Sequence, residues 1–264
     1  MKRNSALLPL ALTLALGSCQ TKDSPWEVQF ANNSLDGWHY FQDDGTKKGW
    51  VVEDSVLIFT GTSDLEAGTG DASLISDKTY TDFEIEFDWK IVPGGNSGFM
   101  WGVQEDAKYN YPYQTGPEIQ ILDPGIYDDP GTALGGEVEM NNAREDLGAH
   151  KHFTGALYDM SPPSRTDVAL PAGQWNTYHI KVDHPANHGE VILNGVLINS
   201  FPLEGPEWDN MLKGAKFSRS EDPDSEYLGD ARWYDFARFQ TGHLCFQDHP
   251  GMVWFRNIRI RELK

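Results

Sequence analysis

Residues 83–90 read Phe83-Glu84-Ile85-Glu86-Phe87-Asp88-Trp89-Lys90, an apolar side chain at every odd position and a charged one at every even position. Successive side chains of a strand point to opposite faces, so this period of two marks a strand with one buried and one wet side. Four large apolar residues on one side need an equally apolar surface opposite, which predicts a sheet packed on a second sheet. Residues 176–182 and 190–193 continue the strand pattern, and Asn194-Gly195 supplies the two positive-φ positions of a type I′ hairpin turn into a strand over 196–201. Residues 51–60 read as a tight hairpin, 99–103 and Glu118–Leu122 as buried strands, and 253–261 as the closing strand. In that last strand the apolar phase shifts between Phe255 and Ile258, which predicts a bulge near Asn257.

Helical periodicity is weak everywhere, with room for one or two turns over residues 207–213. No internal repeat occurs, and no composition shift after residue 26 marks a second domain. The 264 residues carry 26 Gly, 15 Pro and 12% aromatic residues, a composition of many short strands joined by turns. Two stretches, 104–117 and 123–175, are too long for hairpin loops, and a rigid sheet carries such loops over a cleft. The expected architecture is all-β: a two-sheet jelly-roll sandwich with long loops over the concave face. A net charge of −19 repels phosphate backbones, so nucleic acid is excluded as a partner class.

The first residues read as a leader rather than as fold. Lys2 and Arg3 precede an apolar run over residues 6–16, followed by Leu16-Gly17-Ser18-Cys19. The run is too short for the roughly 20 residues of a membrane span. The pattern predicts a lipoprotein signal over residues 1–18, lipidation of Cys19, a polar tether over 19–25 and a single domain over 26–264, in the bacterial cell envelope at the periplasm or outer-membrane surface. An ordinary signal peptide with a chance cysteine is the alternative. After cleavage Cys245 is the one cysteine besides Cys19, so the fold stands without an internal disulfide or thiolate zinc site.

Several residues carry chemistry. Glu118 and Gln120 alternate with Ile119 and Ile121, so both polar side chains share one strand face. On a cleft face Glu118 would serve as acid, base or ligand and Gln120 would bind hydroxyls; on a solvent face they only keep the strand soluble. Glu84, Glu86 and Asp88 have the spacing of sandwich-fold glucanase carboxylates, but Lys90 continues the row, and a solvated outer face is the expected reading. His152 and His249 can move protons near neutral pH, bind a divalent metal together with Glu118, or serve as structural hydrogen-bond partners. Asn96 and Gln247 add neutral donors, and Trp101 is the candidate platform for a pyranose ring among tryptophans that otherwise suit the core. Asp123, Asp128 and Asp129 are dense enough in oxygen for Ca²⁺ without showing a spaced calcium loop.

Taken in order, Leu35-Asp36-Gly37-Trp38, Gly94-Gly95-Asn96-Ser97-Gly98, Thr115-Gly116-Pro117-Glu118-Ile119-Gln120-Ile121-Leu122-Asp123, Gly155-Ala156-Leu157-Tyr158-Asp159, Leu193-Asn194-Gly195-Val196 and Gln247-Asp248-His249 resemble the blocks of the 3-keto-disaccharide hydrolase domain family. The resemblance covers roughly residues 26–262. It implies a concanavalin A-like jelly roll, secreted or lipid-anchored, acting as hydrolase or lyase on glycosides already oxidised at C3. Many relatives carry an arginine soon after the Asn-Ser-Gly block, where this chain has Phe99-Met100-Trp101-Gly102, so a contact through that arginine is not carried over. The implied chemistry needs a base at C2, a donor or cation for the C3 oxyanion and an acid for the departing oxygen, roles for which Glu118, His152 and His249 have suitable side chains. A conventional sandwich-fold glycosidase with two spaced carboxylates and a non-catalytic carbohydrate-binding module are the competing expectations.

Overall fold

The computed structural model describes residues 24–61, 72–128, 149–215 and 234–264. The leader, Cys19 and most of the tether lie outside these residues. Thirteen strands are described: β1 Glu27–Val28, β2 Trp38–Tyr40, β3 Trp50–Glu53, β4 Val56–Phe59, β5 Leu74–Tyr80, β6 Phe83–Ile91, β7 Asn96–Val103, β8 Glu118–Leu122, β9 Asn176–Asp183, β10 His188–Leu193, β11 Val196–Phe201, β12 Gly242–Phe246 and β13 Val253–Glu262. They form two antiparallel sheets, an eight-stranded one in the order β11-β10-β9-β6-β13-β4-β3 with β1 beside β13, and a five-stranded one in the order β2-β5-β12-β7-β8. This is the jelly-roll sandwich that the alternation predicts. A single α-helix among the described residues, α1 at Pro206–Gly214, starts on a proline and carries Lys213 in its last turn, a residue type that suits the negative helix terminus.

The period-two strand lies at the centre. Phe83, Ile85, Phe87 and Trp89 are all buried, and Phe87 meets rings of both layers: Tyr178 and Phe255 at 5.7 Å in its own sheet, Phe99 at 5.8 Å and Phe246 at 5.5 Å in the other. Burial of such aromatics is the main source of cohesion in a fold without a disulfide. On the outer side of the same strand Glu84, Glu86 and Asp88 stand opposite Arg261, Arg259 and Arg256 of β13 and accept hydrogen bonds from their Nε atoms at 3.1, 2.8 and 3.1 Å. The acidic row is a cross-strand charge ladder. Asn194 and Gly195 have φ of 49° and 81°, as a type I′ turn requires. The register of β6 and β13 shifts between Arg256 and Arg259 around Asn257 at φ 53°, which is the expected bulge.

Strands β2, β5 and β12 carry no clean alternation because the five-stranded sheet is covered on both sides. Its inner face joins the main core through Phe99, Trp101, Ile119, Ile121, Leu244 and Phe246. Its outer face holds a second apolar cluster of Phe41, Ile75, Met100, Val103, Tyr109 and Cys245. Tyr109 comes from the 104–117 loop, whose 3-10 turn Pro112–Gln114 is fixed by Gln114 Oε1, which accepts from the backbone N–H of Tyr111 at 2.9 Å. The described part of the second long stretch joins the sheet itself. Gln120 N donates to Ala156 O at 3.0 Å, Gly155 N to Gln120 O at 2.9 Å and Tyr158 N to Glu118 O at 2.8 Å, so residues 155–158 run along the free edge of β8.

Candidate active site

Strand β7 pairs with β8 so that Gly98 faces Gln120 and Met100 faces Glu118. Ile119 and Ile121 point into the core, so Glu118 and Gln120 point to the outer face of the five-stranded sheet, as do Asn96, Gly98 and Met100 of β7. β12 brings in the next residues. Gln247 N donates to Gly98 O at 2.9 Å, which places the Gln247 side chain on the other flank of Gly98. Glu118 is only 7% exposed, and its Oε2 accepts from Gln247 Nε2 at 3.4 Å. Gln120 is buried as well, with its Oε1 taking the backbone N–H of Ile121 at 3.1 Å.

His249 completes the far side. Asn96 Nδ2 lies 3.2 Å from His249 Nε2, and since an amide nitrogen can only donate, Nε2 accepts and the ring proton sits on Nδ1. Burial pulls the imidazole pKa down to about 4. The ring is therefore neutral at physiological pH. Among the described residues, His249 Nδ1, Asn96 Oδ1 and Gln247 Oε1 are buried and make no hydrogen bond. Three orphaned polar atoms, one of them on the side chain that meets the Glu118 carboxylate, are what a polar ligand would satisfy.

His152 lies on the opposite flank. The bridge between Ile119 and Leu157 sets Tyr158 directly across from Glu118 and on the same face. The His152 ring packs on Tyr158 at 4.9 Å between centroids, and its Nε2 is 3.0 Å from Asp159 Oδ1. Across the sheet face the order is thus His249 and Asn96, then Gln247 and Glu118 over Gly98, then Tyr158, then His152 with Asp159. Gly98, Tyr158 and Asp159 are members that reading the sequence for chemistry passes over. The signal for Gly98 was present, since a glycine inside a strand marks a bulge or a close approach.

Two expectations need correction, and a third falls partly outside the described residues. Trp101 is an odd number of residues from Asn96 and Gly98, so it points the other way: it is 3% exposed and stacks with Phe201 at 6.3 Å in the main core. It is no platform on the Glu118 face. Instead it borders a cavity of about 230 Å³ at the sandwich edge, together with Leu203 and Trp208. Asp123 uses its oxygens on backbone, accepting from Gly94 N at 2.8 Å and Gly125 N at 3.0 Å, which caps the 3-10 turn Pro124–Tyr127. Asp128 is exposed, and Asp129, the third residue expected for Ca²⁺, lies outside the described residues. Nor do Glu118, His152 and His249 form one metal site, because no group of three His, Cys, Asp or Glu side chains able to hold an ion occurs among the described residues. His152 has its own carboxylate in Asp159, and His249 is tied to Asn96.

A jelly roll with a buried carboxylate and a neutral imidazole on one sheet face defines a sandwich domain with a built polar site. The chain belongs to the family of 3-keto-alpha-glucoside-1,2-lyase-like domains, whose model matches residues 25–261. It is 30% identical over 245 residues to the 3-keto-disaccharide hydrolase of Bacteroides thetaiotaomicron, covering 89% of this chain and 77% of that protein. A crystal structure from Parabacteroides distasonis, provisionally assigned as a glycosyl hydrolase, matches with a TM-score of 0.69 and 28% identity over 92% of this chain and all of the other. A second from the same organism, with the same provisional assignment, matches in fold with a TM-score of 0.59 and 23% identity over 90% of this chain and all of that one.

Proposed function

We propose that this protein cleaves 3-keto-glycosides by elimination. The ketone at C3 acidifies the proton at C2. Glu118 takes that proton, the C2–H electrons form the C1–C2 double bond through an enolate, and the C1–O bond breaks with its electrons on the departing oxygen. Water added across the double bond, hydroxyl to C1 and proton to C2, makes the net reaction a hydrolysis; without that step it is a lyase reaction.

Each remaining role follows from a contact. The enolate places negative charge on the C3 oxygen, and a neutral imidazole with its proton on Nδ1 can donate to that oxygen without giving its proton up. Asn96 holds the tautomer. Gln247 orients the Glu118 carboxylate. His152, braced by Asp159, protonates the leaving oxygen. The observation that carries the reading is the buried carboxylate on the same sheet face as a neutral, partly unpartnered imidazole, in a chain of this family. The same face offers amides, Gln120, Gln247 and Asn96, beside Glu118, which favours one carboxylate acting on an activated substrate over a pair acting on an ordinary glycoside. Purified protein given a nitrophenyl 3-keto-glucoside and the unoxidised glucoside should release nitrophenol from the first alone. Equal turnover of both would reject elimination.

The leader supports a location. Leu16-Gly17-Ser18 before Cys19 supports lipidation of that cysteine, and a lipid there would hold the enzyme on an envelope membrane, in the periplasm or at the outer-membrane surface, beside incoming saccharides. Cys19→Ala should shift the protein to the soluble fraction, and unchanged membrane retention would contradict the anchor.

A further inference from the structure

We infer that Gly98 is a positioning residue: its missing side chain is the space in which the Glu118 carboxylate lies. This rests on the role proposed for Glu118. A strand interior is a poor place for glycine, which packs nothing and loses the most chain entropy on folding. Gly98 sits there at the centre of β7, paired to Gln120 on one side and bonded through its carbonyl to Gln247 on the other. Its φ is outside the left-handed region that favours glycine, so conformation does not require it.

Space does. A Cβ on Gly98 would lie 2.5 Å from Glu118 Cδ, 2.7 Å from Cγ and closer still to Oε1. Glu118 is paired with Met100, not with Gly98. Its side chain therefore leans diagonally across β7 into the place that a residue at 98 would fill, and there it meets the Gln247 amide. Any larger residue at 98 would push the carboxylate away from the Gln247 amide. The fold would survive, since β7 keeps its backbone pairing, but the proton acceptor would be misplaced.

Gly98→Ala tests this. The crystal structure of the variant should show the Glu118 carboxylate displaced and the Gln247 contact broken. On a nitrophenyl 3-keto-glucoside, kcat should fall by about 10²-fold with KM within a few-fold, the pattern of a misplaced reacting group. Glu118→Asp, which is too short to reach across β7, should cost activity with glycine at 98 but cost nothing further in the Gly98→Ala background. An unmoved carboxylate, an unchanged kcat, or additive losses in the double variant would overturn the inference. If Gly98→Ala fails to fold, Gly98→Ala with Glu118→Ala should fold, because the obstacle is gone; failure of both would show that Gly98 is needed for another reason. Should the wild-type protein leave the keto-glycoside untouched, the proposed reaction falls, while the displacement in the crystal still decides the role of Gly98.

Discussion

Asn96 Nδ2 donates to His249 Nε2 across 3.2 Å, and this one hydrogen bond fixes which nitrogen of the ring carries the proton. Asn96→Asp replaces the donor by a carboxylate that must be met by an N–H, so it moves the proton to Nε2 and raises the imidazole pKa. Nitrogen NMR of the ring should show the change of tautomer, and kcat should fall by about 10²- to 10³-fold with the loss of the oxyanion donor. An unchanged tautomer with unchanged activity would remove His249 from this role.

The depressed pKa of His249 also makes a prediction about stability. In the unfolded chain a histidine titrates near pH 6.5, whereas burial holds His249 at about 4. Between these values the unfolded state binds the extra proton, so this contribution is complete above about pH 6.5 and is lost as pH falls towards about 4. The loss should reach about 2–3 kcal/mol at pH 4.5. Urea unfolding of wild type and His249→Gln at pH 7 and 4.5 measures it, with the variant losing less stability on acidification.

Asp159→Asn separates the acid from the base. A weaker brace for His152 should matter most where the departing oxygen needs a proton, so kcat on a 3-keto-disaccharide should fall by about 10²-fold or more, and far less on a nitrophenyl substrate. Equal losses on both would assign Asp159 a structural part.

Phe87 joins four rings from two sheets, and no side chain nearby can refill its place without breaking those contacts. Phe87→Ala should cost about 3–5 kcal/mol in denaturant unfolding, and a cost below about 1 kcal/mol would mean that the two layers cohere elsewhere.

The eight-stranded sheet was readable from residues because its outer face is wet, and wetness leaves alternation in the chain, as along β6. The five-stranded sheet was half hidden. Leu74 and Ile75 of β5, and Leu244, Cys245 and Phe246 of β12, are buried on both sides, so no period of two marks them. Glu118 and Gln120 were legible by parity within one short strand, and the same parity, applied along Asn96–Val103, would have turned Trp101 into the core. What local pattern could not show is which strands lie side by side: Gln247 beside Gly98, and Tyr158 across from Glu118, are pairings between residues far apart in sequence. In the sequence His249 and His152 stand out only as residue types able to move protons, and only the fold gives each its separate partner.

In the proposed reaction Glu118 removes the C2 proton before the C1–O bond is replaced. Turnover of a 3-keto-disaccharide in D₂O, with the sugar product analysed by NMR and mass spectrometry as it forms, tests it directly. Elimination should give either the unsaturated ketone itself or a 3-keto-sugar carrying one solvent deuterium at C2, faster than the free product exchanges in a control incubation, and neither with Glu118→Gln. A hydrolysed product that keeps its original hydrogen at C2 would contradict elimination and with it the role assigned to Glu118.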